Sequence, residues 1–457
     1  MKKMRRIASL LLALAMAFGL TATAFAAETT DRVDVGVDVD DQIPEGHTYT
    51  AYQILKGTLS EREGKEYLVD IEWGDGVNWA KNPADNVFLQ ALKGDDRFIV
   101  NGANIFAAAE DAEGVAKALN EVDDNDALAK AFANVANAHK AGSGTAIEGE
   151  SVSLSPGYYL VVDSTGSLGG NDAYNPALLQ VTKSGGITIE KKYSVPTVDK
   201  SVTGTDNVTG EAADCNIGDS VTFTLTGTLP EKGLDDYEKY EYRFEDELSS
   251  GLWYNGNAEV YLYKNGNVED ATEANKIDIT TEFTISPDGK PSAAGGKLTI
   301  SIADLKPVLT KHSGTPQSKI VVEYTAELTK GAVVGGDGNP NTVKLVYSNN
   351  PNQGGEGSTG ETPEDKVVVF TYGLEGSKVD GNGNTPLADA EFILYRVKEG
   401  GNLSYDDKNI PHGVEYAQVD ADGELTGWGK DLTEDAARQA AINAPLRSND
   451  KGEFSVK

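Results

Sequence analysis

Cysteine is nearly absent from this chain of 457 residues, because Cys215 is the only one. No intrachain disulfide can form, so an exported protein of this sequence would need another kind of covalent cross-link. Basic residues are also scarce, with 40 Lys and Arg against 72 Asp and Glu and a formal net charge of −32. This balance argues against nucleic acid as a partner, since phosphate binding needs a basic patch.

The usual signatures of catalysis and of metal or cofactor binding are missing as well. No glycine-rich phosphate loop follows a strand pattern, and no serine lies in a nucleophile elbow. The four histidines (His47, His139, His312 and His412) have no ligand spacing, and we expect them at surface or turn positions. The sequence therefore predicts a protein that is not an enzyme and that has no cofactor and no metal site.

Long apolar runs are confined to the N-terminus. A basic head is followed by an apolar stretch that ends at Leu20, and residues 24–26 fit the small-x-small pattern of a signal peptidase site. The stretch is too short to favour a permanent membrane span. We therefore predict a signal peptide over residues 1–26, cleaved between Ala26 and Ala27, and a secreted protein.

The remaining sequence is dominated by the alternating pattern of short β-strands. An alanine-rich segment with apolar residues at helical spacing, residues 102–140, is the exception. The predicted fold is mainly β, with tandem immunoglobulin-like β-sandwich domains of which the first has a helical insertion. The last domain is expected to be C-terminally truncated, because the sequence stops within the strand pattern of residues 452–457.

Composition and turn signals divide the chain into five predicted segments. They are a signal peptide at 1–26, an N-terminal domain at 27–193, a second β-sandwich at 194–352, a Gly-rich stretch at 353–365 and an incomplete third domain at 366–457. The Gly-rich stretch is polar and has no periodicity, so it is either an interdomain linker or a mobile loop.

Three reactive polar residues share the strand parity of apolar neighbours. Lys200 has the parity of the two valines that flank it, Asp246 that of the aromatic residues before it, and Asn349 that of the apolar residues before it. A strand points every second side chain to the same face, so all three are expected to face a β-core. Parity alone also allows a lysine that extends to solvent, or a carboxyl or amide that caps a turn.

An amine, a carboxyl and a carboxamide in one core are the ingredients of a spontaneous amide bond. They are costly to bury unless they satisfy one another, and burial disfavours their charged forms. A neutral Lys200 amine can attack the Asn349 carboxamide while Asp246, as the acid, hydrogen-bonds its oxygen and shuttles protons. Ammonia then leaves. Asn350 and Asn341 are alternative acceptors.

Several motifs resemble the major (backbone) pilin subunits of Gram-positive bacteria. In the second domain these motifs are residues 217–230, 244–252, 321–326 and 338–351; outside it, 49–55 resembles the start of the pilin N-terminal domain, and 376–380 with 387–395 resembles the opening of a Cna-B-type domain. Those pilins are polymerised by sortase and carry self-generated isopeptide bonds. In the family the lysine lies on the first strand, the acid in a Phe-x-Asp-x-Leu strand and the asparagine on the last strand, which matches Lys200, Asp246 and Asn349.

The resemblance implies a structural function. The protein would be the backbone subunit of a covalently polymerised pilus (fimbria) at the cell wall, stabilised by autocatalytic Lys–Asn isopeptide bonds and supporting adhesion. The implied partners are a pilin-class sortase, identical pilin subunits and cell-wall peptidoglycan, the last through a C-terminal sorting signal that this sequence lacks. The alternatives are a monomeric wall-anchored adhesin built from the same domains and a secreted glycan hydrolase.

The resemblance also indicates further lysines. Lys378 would be the amine of a corresponding bond in the third domain, with partners beyond Lys457. The Tyr-Pro-Lys motif that carries the polymerising lysine of the family is absent, and residues 187–196 stand in its place. Lys192 and Lys191 are the candidates there; strand parity turns Lys191 inward and Lys192 to solvent, although both can be ordinary strand-end lysines.

Overall fold

A computed structural model describes most of the chain. The described residues are 33–62, 65–121, 126–149, 151–182, 187–353, 358–382, 384–398, 400–420, 425–429 and 432–456. The predicted signal peptide, with the cleavage residues Ala26 and Ala27, and part of the Gly-rich stretch lie outside these ranges. Within them, no helix is both long enough and apolar enough to cross a bilayer.

The described residues of the N-terminal unit form two main sheets, a short two-stranded hairpin and three α-helices. Its strands are β1 (Val33–Val39), β2 (Tyr49–Arg62), β3 (Lys65–Trp73), β4 (Ile99–Val100), β5 (Ala103–Asn104), β6 (Thr145–Ile147), β7 (Ser151–Leu154), β8 (Gly157–Asp163), β9 (Leu178–Thr182) and β10 (Ile187–Ile189), and its helices are α1 (Val87–Gly94), α2 (Ala112–Asn120) and α3 (Asp126–Ala138). The larger sheet has the order β3-β2-β8-β9, with β6 also paired to β2, and the smaller sheet has the order β10-β1-β7.

The helices lie between β3 and β6, and local sequence explains where two of them start. Asn86 caps α1 by accepting a hydrogen bond from the backbone N–H of Leu89, and Asp111 caps α2 in the same way. Their apolar faces pack against the larger sheet, where Phe132 of α3 meets Tyr158 of β8. The predicted helical segment thus contains α2 and α3, whereas α1 was not predicted.

The middle unit is a sandwich of two seven-stranded sheets. Its strands are β11 (Val198–Thr203), β12 (Thr209–Gly210), β13 (Ala212–Asp214), β14 (Ser220–Thr228), β15 (Tyr242–Leu248), β16 (Leu252–Tyr254), β17 (Glu259–Tyr263), β18 (Lys276–Asp278), β19 (Thr284–Ser286), β20 (Gly296–Ile302), β21 (Lys319–Leu328), β22 (Asn339–Ser348), β23 (Thr359–Glu361) and β24 (Asp365–Phe370), and its helix is α4 (Lys306–His312). One sheet has the order β12-β11-β14-β21-β17-β18, with β16 paired to β21; the other has the order β13-β24-β22-β15-β20-β19, with β23 paired to β22.

Alternation builds the core of this sandwich. Along β14, Val221, Phe223 and Leu225 are buried, and the residues between them are half-buried. The inward residues of the facing sheet complete one continuous apolar core. The mainly β fold predicted from the sequence is confirmed.

One strand lies in a different unit from the one predicted. β24 was assigned to the third domain, but it pairs with β22 and with β13 in the middle unit. The physical reason is burial, since Val367 and Val369 are fully buried in the middle core. The Gly-rich stretch before it contains β23, which pairs with β22, so this stretch connects strands of one sheet rather than two domains.

The C-terminal unit consists of two-stranded sheets and one helix. Its elements are β25 (Leu374–Ser377), β26 (Glu391–Phe392), β27 (Tyr395–Val397), β28 (Ser404–Tyr405), β29 (Pro411–His412), β30 (Val414–Tyr416), β31 (Gln418–Val419), β32 (Leu425–Gly427), α5 (Glu434–Asn443), β33 (Leu446–Arg447) and β34 (Glu453–Val456). A small core forms where β30 packs on α5. Tyr372, Tyr405 and Leu432 are exposed, so this unit buries its apolar residues less completely than the middle unit.

Candidate functional site

Four polar side chains meet inside the middle sandwich, and together they form the polar cluster: Lys200, Asp246, Tyr324 and Asn341. Lys200 lies on β11 and Tyr324 on β21 of one sheet, while Asp246 lies on β15 and Asn341 on β22 of the other. Each is at most 2% exposed. The cluster therefore bridges the two sheets in a region that bulk water does not reach.

A chain of hydrogen bonds connects the cluster. The Nζ of Lys200 donates to Oδ1 of Asp246, and the phenol O–H of Tyr324 donates to Oδ2 of the same carboxylate. Nδ2 of Asn341 donates to the phenol oxygen at 2.6 Å. Outside the cluster, the backbone N–H of Lys200 donates to Oδ2 of Asp365 at 2.6 Å. The amine and the carboxamide are thus joined through the acid and the phenol.

The surroundings favour an uncharged amine. Burial lowers the pKa of Lys200, and the nearby carboxylates of Asp246 and Asp365 oppose this shift without cancelling it. The ring centroid of Phe223 lies 5.3 Å from Nζ and that of Tyr324 lies 5.9 Å away, so the amine is enclosed by aromatic rings. A lowered pKa makes the nucleophilic neutral form of the amine more accessible.

The carboxamide oxygen of Asn341 has no hydrogen-bond partner within the described part of the chain, although it is fully buried. A buried acceptor without a donor is unfavourable, and such groups in native proteins often mark a site of strain or chemistry. The cluster therefore has one unsatisfied hydrogen-bond acceptor, which is the oxygen of the carbonyl group that a nucleophile would attack.

The structure brings together two of the three residues predicted for this chemistry, and the third lies elsewhere. Across β15 and β22, Asp246 is paired with Val343 and Leu248 with Asn341. Asn341 is thus two residues from the partner of the acid, about 7 Å along the strand, whereas Asn349 is six residues away in the other direction, about 20 Å. Because β22 ends at Ser348, strand parity does not extend to Asn349.

Asn349 takes part instead in a contact between units, and Asn350 stabilises a local turn. Oδ1 of Asn349 accepts from Ser358 at 2.7 Å, and its Nδ2 donates to the carbonyl of Asp172 at 3.4 Å. Oδ1 of Asn350 accepts the backbone N–H of Asn352. Asparagine at these positions therefore has a structural explanation that does not involve Lys200, and Asn341 is the predicted alternative acceptor that lies in the polar cluster.

The other predicted lysines are all outside the polar cluster. Lys192 is exposed, and its backbone N–H donates to Oδ1 of Asn175 at 3.0 Å. Lys191 is half-buried, with Nζ 4.7 Å from the ring centroid of Tyr193. Lys378 follows β25 and is exposed, with its backbone N–H bonded to a carbonyl beside β34. Lys191 and Lys192 lie beyond β10, which ends at Ile189, so strand parity does not extend to them.

A second group of titratable side chains was not predicted, and we call it the histidine cluster: His47, Asp163, Asp172 and Tyr193. Nδ1 of His47 lies 2.7 Å from Asp163, and Nε2 lies 3.0 Å from Asp172. The phenol of Tyr193 donates to Asp172 at 3.0 Å and lies 3.1 Å from Nε2. The imidazole is only 2% exposed, so the surface or turn position expected for His47 is wrong.

This geometry requires a charged imidazole. A neutral ring has one N–H donor and cannot satisfy two carboxylates, whereas the imidazolium has two donors. Burial alone would lower the pKa of His47, but its hydrogen bonds to Asp163 and Asp172 and their charges raise it above its ordinary value. No sequence signal marks this cluster, since both carboxylates lie more than 100 residues from the histidine.

The single cysteine is packed in the interior. Cys215 is buried, and burial together with the charge of Asp219 raises the pKa of its thiol to about 12. A thiol with this pKa is not a nucleophile at neutral pH. Among the described residues, no group of three or more His, Cys, Asp and Glu side chains has an arrangement that could hold a metal ion.

Comparisons with known proteins agree with the motif resemblance. No family model matches the chain. The trypsin-resistant surface T6 protein of Streptococcus pyogenes serotype M6 is 30% identical over 261 residues, and the match covers 50% of this chain and 45% of that protein. The solved T6 backbone pilin of the same serotype has the same fold at a TM-score of 0.50 and 18% identity, over 93% of this chain and 74% of that one. The resemblance to Gram-positive backbone pilins that the motifs predicted is thus confirmed.

Proposed function

We propose that this chain is a structural backbone subunit of a surface pilus and that an amide bond between Lys200 and Asn341 reinforces its middle unit. The observation that carries the proposal is the polar cluster, which places an amine of lowered pKa, a carboxyl and a carboxamide in one water-excluded core. The similarity to a backbone pilin supports the structural role. Polymerisation by a sortase and attachment to peptidoglycan belong to the same proposal.

The bond would convert an unfavourable arrangement into a favourable one. A buried amine and a buried carboxamide with an unpaired oxygen are replaced by a single neutral amide, and ammonia is released. Lys200 and Asn341 belong to opposite sheets, so the new bond would link the two layers of the sandwich covalently. Asp246 contacts the amine and is the proposed acid of the reaction. We also propose, from the family resemblance, a second bond formed by Lys378.

Mass spectrometry tests the bond and its acceptor together. We expect the intact protein to be lighter than its sequence mass by one ammonia, and a proteolytic digest to contain a branched peptide that joins Lys200 to Asn341. Asn341→Ala should restore the full mass because it removes the acceptor. Asn349→Ala is the matched control and should keep the mass deficit. A branched peptide that joins Lys200 to Asn349 would overturn the assignment, and an unshifted wild-type mass would overturn the bond.

Lys192 is the proposed attachment point for the next subunit. A sortase acyl-enzyme needs an accessible amine, and Lys192 is exposed while Lys191 is half-buried beside Tyr193. In a pilus-forming host we expect Lys192→Ala to abolish the ladder of covalent polymers on denaturing gels, and Lys191→Ala to leave it in place. If the ladder persists in both single variants and in the double variant, polymerisation uses another residue. A wild-type protein that never forms a ladder would favour the monomeric adhesin.

A further inference from the structure

Tyr324 occupies a position that a mechanism with only the Lys200 amine and the Asp246 acid does not explain. Its hydroxyl lies between the carboxylate of Asp246 and Nδ2 of Asn341, and Nδ2 is the atom that must leave as ammonia. The acid itself contacts the amine through its other oxygen, Oδ1. The phenol is therefore the group in hydrogen-bond contact with the leaving nitrogen.

We propose that Tyr324 is a catalytic residue of amide formation, which protonates the leaving nitrogen of Asn341 and is itself reprotonated by Asp246. This inference rests on the proposed bond and adds a third participant to it. An amide nitrogen is a poor leaving group unless a proton reaches it as the carbon–nitrogen bond breaks, so the reaction needs a donor at this position. All the members of the polar cluster are buried, and bulk water cannot supply that proton.

The orientation of the carboxamide agrees with this role. While the Tyr324 proton points to Asp246, the phenol oxygen can only accept a hydrogen bond, and the group that donates to it is the N–H of Asn341. The reverse orientation would place two oxygens together without a proton between them. The hydrogen bonds of the resting cluster thus direct the leaving nitrogen to the phenol and leave the carbonyl group without a donor.

Every proton that moves in the proposed reaction has a donor and an acceptor within the polar cluster. One proton passes from the Lys200 ammonium to the Asp246 oxygen that it contacts, and a half-turn of the carboxyl group brings the protonated oxygen to the Oδ2 position beside Tyr324; the amine is then neutral. The Nζ lone pair attacks Cγ of Asn341, the carbonyl π electrons move to Oδ1, and Nζ becomes positively charged. Nζ then gives a proton to Oδ1 of Asp246, Oδ2 gives its proton to the Tyr324 oxygen, and the phenol gives its own proton to Nδ2.

The intermediate then collapses. Electrons on the Asn341 oxygen re-form the carbonyl, the Cγ–Nδ2 bond breaks with its electron pair on nitrogen, and ammonia leaves. Asp246 is again a protonated carboxyl and Tyr324 is again a phenol, so neither is consumed. The phenol suits this relay because burial and the adjacent Asp246 raise its pKa well above the ordinary tyrosine value, which keeps its proton in place until the intermediate forms.

The experiment follows bond formation in the newly made full chain. Cell-free synthesis is stopped in denaturant at successive times, the bonded fraction is measured from the ammonia deficit in the intact mass, and folding is followed in parallel by resistance to protease. We expect Tyr324→Phe to fold and to form the bond about 100-fold more slowly, the lower end of the contribution of a general acid. Tyr242→Phe is the matched control, because its hydroxyl is also buried in this core but donates to the carbonyl of Thr228.

A fluorinated tyrosine at position 324 separates proton donation from positioning. It keeps the hydroxyl and its hydrogen bonds but is a stronger acid, so bond formation should be faster than in the wild-type protein. A rate that is unchanged or slower would overturn the acid role, as would a wild-type rate in Tyr324→Phe, and both results would leave the proposed bond standing. An unshifted wild-type mass would instead remove the bond and this inference with it. The fluorinated protein retains the native contacts, so it gives an answer even if Tyr324→Phe does not fold.

Discussion

Replacing Asp246 with alanine is expected to leave Lys200 and Asn341 unbonded and to lower the melting temperature of the middle unit by roughly 10–20 °C. The amide would close a loop of about 140 residues, and a cross-link over such a loop stabilises the fold by about 5 kcal/mol through the entropy of the unfolded chain. For a unit of this size, 1 kcal/mol corresponds to about 2–4 °C. Differential scanning calorimetry and intact mass on the same samples measure both effects.

Two further variants separate the bond from the other roles of this carboxyl. Glu245→Ala removes the neighbouring acid, which faces outward and pairs with Lys297 at 2.8 Å, and it should keep the ammonia deficit and most of the melting temperature. Asn341→Ala keeps the pair between Lys200 and Asp246 but removes the acceptor, and it should melt near the Asp246→Ala protein. If Asp246→Ala retains both the mass deficit and the wild-type melting temperature, Asp246 is not the acid.

Replacing His47 with glutamine is expected to destabilise the N-terminal unit by about 3 kcal/mol in weak acid, because two carboxylates of the histidine cluster lose the buried cation between them. Glutamine has a similar length but no charge. The pKa of His47 is raised in the folded protein, so its contribution to stability is fully present below the unfolded value of about 6.5 and is lost as pH rises through the folded value. The loss caused by the substitution should therefore shrink at alkaline pH.

Thermal unfolding of both proteins between weakly acidic and alkaline pH measures this difference. Asp163, Asp172 and Tyr193 contact the imidazole, and Tyr49 stacks on it with ring centroids 6.4 Å apart. His312→Gln, in α4 of the middle unit, is the control and should not change the pH dependence. A difference between wild type and His47→Gln that is constant or grows with pH would show that the imidazole is not held as a cation.

Strand parity predicted correctly that Lys200 and Asp246 are buried, but it could not choose between Asn341 and Asn349 as the proposed acceptor. Parity tells which face of a sheet a side chain points to, and Asn341 and Asn349 have the same parity. Choosing between them needs the register of β22 against β15, which depends on packing across the whole sheet. The sequence also could not predict that β22 ends at Ser348, and this end of the strand removes Asn349 from the core.

Contacts between distant segments explain the remaining differences. The pattern of β24 predicted a strand correctly but not its partners, because an alternating apolar segment fits any sheet with a free edge. The partners of His47 come from loops and strand ends more than 100 residues away, and no local pattern marks them. Tyr324 had the sequence pattern of a core aromatic, and only the geometry of its hydroxyl distinguishes it from the other buried tyrosines.

The positions of Lys200 and Asn341 have a mechanical consequence for a fibre made of such subunits. Lys192, where a neighbouring subunit would be attached, is only eight residues before Lys200. Tension that enters there would pass from β11 through the proposed amide directly into β22. The strands between these two residues in sequence would then carry no load, and pulling on the fibre would not lengthen the part of the chain that contains most of the sandwich.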